Sequence, residues 1–138
     1  MYHLMANGAL IAELGAGTQA AAMARELLAE RFGRRLSKDA LTDATLVISE
    51  LINNSVEHGG AAAGDVVHVT VQLDDGVLHA EVRDHGPGFA PPQSLTFDDL
   101  GATSGRGLRI VDALAERWGV QNGDGSRVWF EIAATRSH

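Results

Sequence analysis

The chain has 138 residues, enough for one domain burying roughly 68% of the surface its unfolded form would expose. Hydrophobic residues at 45% and charged residues at 21% exclude wholesale disorder and a coiled coil, and the absence of cysteine excludes disulfides, thiolate zinc sites and cysteine nucleophiles. Eighteen acidic against eleven basic side chains give a net charge of -7, which opposes general attraction to nucleic acid or anionic lipid, so no direct nucleic-acid or membrane partner is expected.

Met1 to Leu14 has no basic opening and carries Glu13, and no later run approaches the ~18 apolar residues of a membrane span. A cytoplasmic protein is expected, organised as a single domain over residues 1–138. Ala9 to Leu14 reads as a short strand ending at Gly15 and Gly17. Thr18 is placed to cap a helix from Gln19 to about Phe32, rich in Ala, Leu, Glu and Arg, which Gly33 closes. Ser37 caps a second helix running to about His58, where Gly59 and Gly60 stop it. Leu41, Ala44, Ile48, Leu51, Ile52 and Ser55 form its apolar face.

Beyond the small-residue stretch Gly59 to Gly64 the period becomes two. Val67, Val69, Val71 and Leu73 alternate with polar residues, Asp74-Asp75-Gly76 turns the chain, and Val77 to Arg83 returns. Phe89 to Ser104, with its Pro91-Pro92 pair, shows no period and is long for a loop, as lids often are. Gly107 to about Glu116 is an amphipathic helix, and Trp118 to Gln121 and Ser126 to Ala134 are strands on either side of Asn122-Gly123-Asp124-Gly125. Helices covering one face of a mainly antiparallel sheet follow, an α+β two-layer sandwich.

Three clusters carry chemistry. In Glu50-Leu51-Ile52-Asn53-Asn54-Ser55-Val56-Glu57-His58, four residues advance a helix by about 400°, so Glu50, Asn54 and His58 share one side, read as lying away from the apolar stripe. A carboxylate accepts a proton, and an amide oxygen is a hard ligand suited to magnesium. Taken alone, such a pair is an ordinary solvated helix face. Asp84-His85-Gly86-Pro87-Gly88 ends a strand. It is either an ordinary turn or a site where Asp84 accepts from an exocyclic amine such as that of adenine, while Gly86 and Gly88 permit close backbone approach. Gly105-Arg106-Gly107-Leu108 precedes the third helix, where glycines and the helix dipole expose N–H groups to an anion and Arg106 adds a charged contact or is solvated. A P-loop is excluded because the only lysine, Lys38, follows no glycine-rich run, and a dinucleotide fingerprint lacks its third glycine. His68 and His79 fall on neighbouring strands and read as surface residues, so no structural metal is expected.

In order and context these segments resemble the GHKL ATPase superfamily, whose signature is an Asn box on a helix followed by two glycine boxes. Ser49 to Gly59, Val82 to Phe89 and Gly105 to Asp112 are most similar to its anti-sigma-factor serine kinase branch, and the resemblance covers about residues 8 to 134. It implies a Bergerat ATP-binding fold with ATP and Mg2+. By position, Asn54 would ligate magnesium and Glu50 would be the general base. Asp84 would bind the adenine amine, and Gly86, Gly88, Gly105, Arg106, Gly107 and Leu108 would shape the pocket and phosphate cradle. Ser55 stands where this branch usually has Ala, and Ser126 stands where a Thr often supports the adenine. The implied partners are a sigma factor, a STAS-domain antagonist phosphorylated on serine, and a second copy of the chain as a homodimer through the exposed sheet. Two other functions share this pocket: a nucleotide-dependent binding module with little phosphotransfer, and the ATP-binding part of a sensor histidine kinase. The last is disfavoured because the chain begins almost at the first strand.

Overall fold

The computed structural model describes residues 2–6, 9–57, 66–84, 101–123 and 125–138, with side chains from 9–56, 66–84, 108–121 and 127–138. The elements run β1 (Tyr2–Ala6), β2 (Ala9–Gly15), α1 (Ala20–Phe32), α2 (Lys38–Glu57), β3 (Val66–Asp74), β4 (Val77–Asp84), α3 (Gly101–Leu114), β5 (Arg117–Gly123) and β6 (Gly125–Ala133). The strands form one antiparallel sheet in the order β1-β2-β3-β4-β6-β5. The three helices pack on it, so the expected α+β sandwich is the observed one.

Alternation decides which face of each strand is covered. Leu10, Ala12 and Leu14 of β2, Val67, Val69 and Val71 of β3, Leu78, Ala80 and Val82 of β4, and Val128, Phe130 and Ile132 of β6 are all buried. Each strand contributes every second side chain to the layer beneath the helices. The β3–β4 hairpin turns through Asp75 and Gly76 at φ 51° and 75°. Two positive values are the signature of a type I′ turn, which an Asp-Gly pair adopts at low cost and which fixes the register Asp74↔Val77.

The opposite face carries paired polar side chains. His79 Nδ1 lies 3.0 Å from Glu131 Oε2, Arg127 Nε 3.4 Å from Glu81 Oε1, and His68 Nδ1 3.6 Å from Glu13 Oε1. The His79 ring stacks on Trp129 with centroids 5.5 Å apart. Gly119 lies under that indole, since a Cβ there would come within 2.6 Å of Trp129 Nε1.

Helix ends account for the differences from expectation. Thr18 does not cap α1. Its N-cap is Gln19, with no side-chain bond, and the N–H of Ala20 is met by the Gly17 carbonyl at 3.2 Å. Gly33 is the C-cap as expected, though in the right-handed region at φ -57°. Ser37 caps α2: its hydroxyl accepts from the Ala40 N–H at 3.1 Å and donates to the Arg136 carbonyl at 2.5 Å. Ser37→Ala should cost about 1 to 2 kcal/mol in urea unfolding, and a loss below about 0.3 kcal/mol would show that the cap contributes nothing.

The third helix starts earlier than its glycines suggested, at Gly101 rather than near Gly107. Nothing in Gly101-Ala102-Thr103-Ser104 stops a helix, as no proline lies among these residues. Strand β1 was not anticipated either. It adds to the sheet edge with the register Ala6↔Ala9 to Tyr2↔Glu13.

Candidate functional site

Helix α2 is central because it packs against α1, α3, β3, β4 and β6. Ala44, Val47, Ile48, Leu51 and Ile52 are buried by this surround, and the polar residues Asp43, Ser49 and Asn54 are buried with them. Among its described side chains only a narrow strip with Lys38, Thr42, Leu46 and Asn53 stays exposed. The side bearing Glu50 and Asn54 is therefore not a free solvent face. Glu50 is half-buried and Asn54 is 8% exposed. The earlier expectation counted only the apolar stripe, and it missed that neighbouring elements cover α2 on more than one side.

Asn54 is the least comfortable residue of the helix. Among the described residues its buried Nδ2 has no hydrogen-bond partner. A buried amide donor left unmet costs about 1 to 3 kcal/mol, which marks Asn54 as the polar group of α2 that calls for a partner beyond the described residues. One turn earlier, Glu50 sits roughly 6 Å along the axis.

Strand β4 supplies the second cluster. Asp84 is its last residue and is 1% exposed, an acid carried to the end of an otherwise apolar strand face with Val82 and Ala80. Its cross-strand partner is Ser126 of β6, so the two residues suspected of reading one base stand side by side in the sheet. Helix α2 packs over β4, and α3 packs beside α2. The fold thus brings the helix with Glu50 and Asn54, the strand with Asp84 and the helix with Gly105 to Leu108 into one neighbourhood. Gly86, Gly88, His58 and most of the proposed lid lie outside the described residues.

Gly105 and Gly107 are the fifth and seventh residues of α3, not its opening. The N–H groups without an intrahelical acceptor are those of the first turn, Gly101 to Ser104. Interior glycines each cost a helix about 1 kcal/mol relative to Ala, which makes the opening turns of α3 the least stable part of it. Leu108 is wholly buried, so its side chain belongs to the core and only its backbone remains to meet a ligand. Arg106 is placed by its backbone alone, within the second turn.

Two polar links around α2 escaped the sequence reading. Arg25 of α1 donates from Nη1 to Ser49 Oγ at 3.1 Å, and Ser49 donates to the Thr45 carbonyl at 2.6 Å, which ties α1 to the residue preceding Glu50. Asp43 accepts from Arg136 Nη1 at 3.1 Å and lies 2.5 Å from His138 Nε2. Burial works against the Arg136 charge, but hydrogen bonds and attraction from Glu116 and Asp43 outweigh it, so the guanidinium pKa stands above its ordinary value. The guanidinium therefore stays charged throughout and beyond the ordinary arginine range, and its side of the pairing is lost only as pH rises past its raised value, while the pairing itself holds as long as the two carboxylates are ionised. Such contacts join residues 93 apart, which spacing rules cannot see. Among the described residues no helix is long and apolar enough to cross a membrane.

The chain is similar to several known proteins. An anti-sigma F factor of Geobacillus sp. (strain WCH70) is 30% identical over 108 residues, covering 72% of this chain and 73% of that protein. The sensor histidine kinase DcuS of Escherichia coli (strain K12) is 33% identical over 88 residues, which are 60% of this chain but 16% of DcuS. Among solved structures, the Acinetobacter baumannii histidine kinase AdeS aligns over 91% of this chain and 68% of its own with a TM-score of 0.51 at 17% identity, a likeness of fold. The family model for the histidine kinase-like ATPase domain matches residues 11–132, nearly the whole span from β2 to β6, and the chain belongs to that family, within the GHKL superfamily.

Proposed function

We propose that this chain is an ATP-binding anti-sigma factor with protein-serine kinase activity, a single cytoplasmic domain whose substrate is a STAS-domain antagonist and whose other partner is a sigma factor. The observation that carries the ATP site is Asn54, buried one turn beyond Glu50 with an Nδ2 that has no partner among the described residues. The similarity to an anti-sigma F factor supports the choice of regulator class.

The residues fit the implied ligands. Asn54 is buried with an Nδ2 that has no partner among the described residues, and an amide oxygen such as its own suits magnesium, which needs few protein ligands. Magnesium bound there would supply charge neutralisation across the phosphates. Asp84, held in a dry strand end, accepts from the exocyclic amine of adenine, with Ser126 beside it. Glu50 takes the proton of the acceptor serine as its Oγ bonds to the γ-phosphorus and the bond to the β-phosphate oxygen breaks, leaving ADP. The backbone at Gly105, Gly107 and Leu108, with Gly86, Gly88 and Arg106, would hold the phosphates. A homodimer through the open face of the sheet completes the reading.

Asp84→Asn is the direct test of the base pocket. It exchanges an acceptor oxygen for a donor facing the amine, and should weaken ATP-analogue binding by about 1.5 to 3 kcal/mol, roughly tenfold to a hundredfold. Unchanged affinity by calorimetry in a folded variant would remove Asp84 from the pocket.

A further inference from the structure

The segment after β6 crosses the start of α2 and ends in a three-way junction. Ser37 donates from its backbone N–H to the Ala134 carbonyl at 2.8 Å and from its hydroxyl to the Arg136 carbonyl at 2.5 Å. The Arg136 guanidinium then reaches Asp43 of α2, the carbonyl of Leu114 at the last residue of α3, and Glu116 Oε1 at 2.5 Å. The other oxygen of Glu116 accepts from the Ala133 N–H at 2.9 Å, which anchors the junction to β6. A cation at the C-terminal end of α3 is favourably placed against that helix's dipole. The Asp43 side chain is 8% exposed and that of Arg136 is 15% exposed, so the contact is largely shielded from water.

The junction is aligned with the candidate site. From Asp43 to Glu50 is seven residues, about 20° short of two turns, and from Asp43 to Asn54 is eleven, about 20° beyond three turns. All three lie on one stripe of α2. Helix α2 leads away from Arg136 for about 16 Å to reach Asn54, and α3, traced backward from Leu114, covers the same about 16 Å to reach Thr103, beside Gly105 to Gly107. Two packed helices are thus joined at one end by Arg136, with the site at the other end of both. A tilt of about 10° at the junction displaces the far end of a 16 Å arm by about 3 Å, when misplacement by about 1 Å suffices to cost a reaction a hundredfold.

We propose that Arg136 is a positioning residue: by holding Asp43 and the α3 carbonyl terminus together, it sets where the Gly105 to Gly107 turns stand relative to Glu50 and Asn54. The inference rests on the nucleotide-site reading for its functional consequence, but the placement of α3 is a property of the ligand-free chain. Arg136→Lys keeps one charged contact and loses the fork, whereas Arg136→Gln loses the charge.

The experiment measures amide exchange and ATP-analogue affinity in the full chain for the parent and both variants, at a temperature well below each melting point. Expected is a rise of about tenfold or more in exchange at residues 101–107 in Arg136→Gln, with β3 and β4 unchanged. Analogue affinity should fall about tenfold, with part of both effects recovered in Arg136→Lys. A uniform rise over the whole chain, or a lowered melting point with unchanged exchange in α3 and unchanged affinity, would overturn the proposal and leave Arg136 a stability contact only. If the parent itself fails to bind the analogue, the nucleotide-site reading falls, and the exchange of α3 still decides the placement role.

Discussion

Glu50→Gln should bind an ATP analogue within about threefold of the parent and transfer phosphate to a serine acceptor about 10² to 10⁴ times more slowly. The amide keeps the size of the carboxylate and most of its hydrogen bonding, so the half-buried position in α2 is preserved and only the capacity to take a proton is lost. Asn54→Ala, one turn away, should behave differently. It removes the buried amide with the orphaned Nδ2, so magnesium-dependent binding and transfer should fall together. Stability need not fall, because the lost Nδ2 has no partner among the described residues. Parallel titration and transfer to a STAS-domain protein, the proposed acceptor, with melting curves for both variants, separates these outcomes. Undiminished transfer by Glu50→Gln would remove the base role. Tight ATP binding with no transfer in the parent would favour a nucleotide-dependent binding module.

Phe130→Ala should cost about 3 to 5 kcal/mol, roughly 10 to 20 °C in Tm. Phe130 is wholly buried in β6, with Ala80 of β4 on one side and Trp118 of β5 on the other. Its small neighbour Ala80 is wholly buried too and cannot grow into the space, so the cavity stays largely open. Urea unfolding measures the loss, and a cost under about 1.5 kcal/mol would mean that the helical layer collapses onto β6 instead. Phe130 shares β6 with Ser126, so the same strand that carries a suspected base-reading residue is among the most deeply packed.

The parts of the fold that were legible in sequence are those governed by short-range rules. Alternation in Val67 to Leu73 and the Asp-Gly turn specify β3 and β4 locally, and the structure extends them by only a residue or so. Ser37, followed by a long helical period, specifies the start of α2 in the same way. Strand β1 was overlooked although Asn7-Gly8, between the paired Ala6 and Ala9, is a strong hairpin signal. The start of α3 was misplaced because glycine was read as punctuation, while a helix packed on α2 tolerates it. At the site, residue types were legible and burial was not. Whether Asn54 meets water or protein depends on α3 and the sheet, which no period within α2 reports. Arg136 was invisible for the same reason, since its partners Asp43, Leu114 and Glu116 come from other parts of the chain.

The strand order has a consequence for how freely this chain can change length. Asp84 and Ser126 are cross-strand neighbours although about forty residues separate them, so the β4–β6 ladder closes a single large loop that holds α3, β5 and the stretch between the two glycine motifs. The entropy of closing such a loop rises only with the logarithm of its length, and doubling it costs about 0.6 kcal/mol. Insertions between Asp84 and α3 therefore weigh little against the sheet, whereas one residue added inside β4 or β6 would turn every following side chain to the wrong face. Length variation between otherwise similar chains should concentrate in that stretch, where recognition can diverge while the register that holds Asp84 beside Ser126 stays constant.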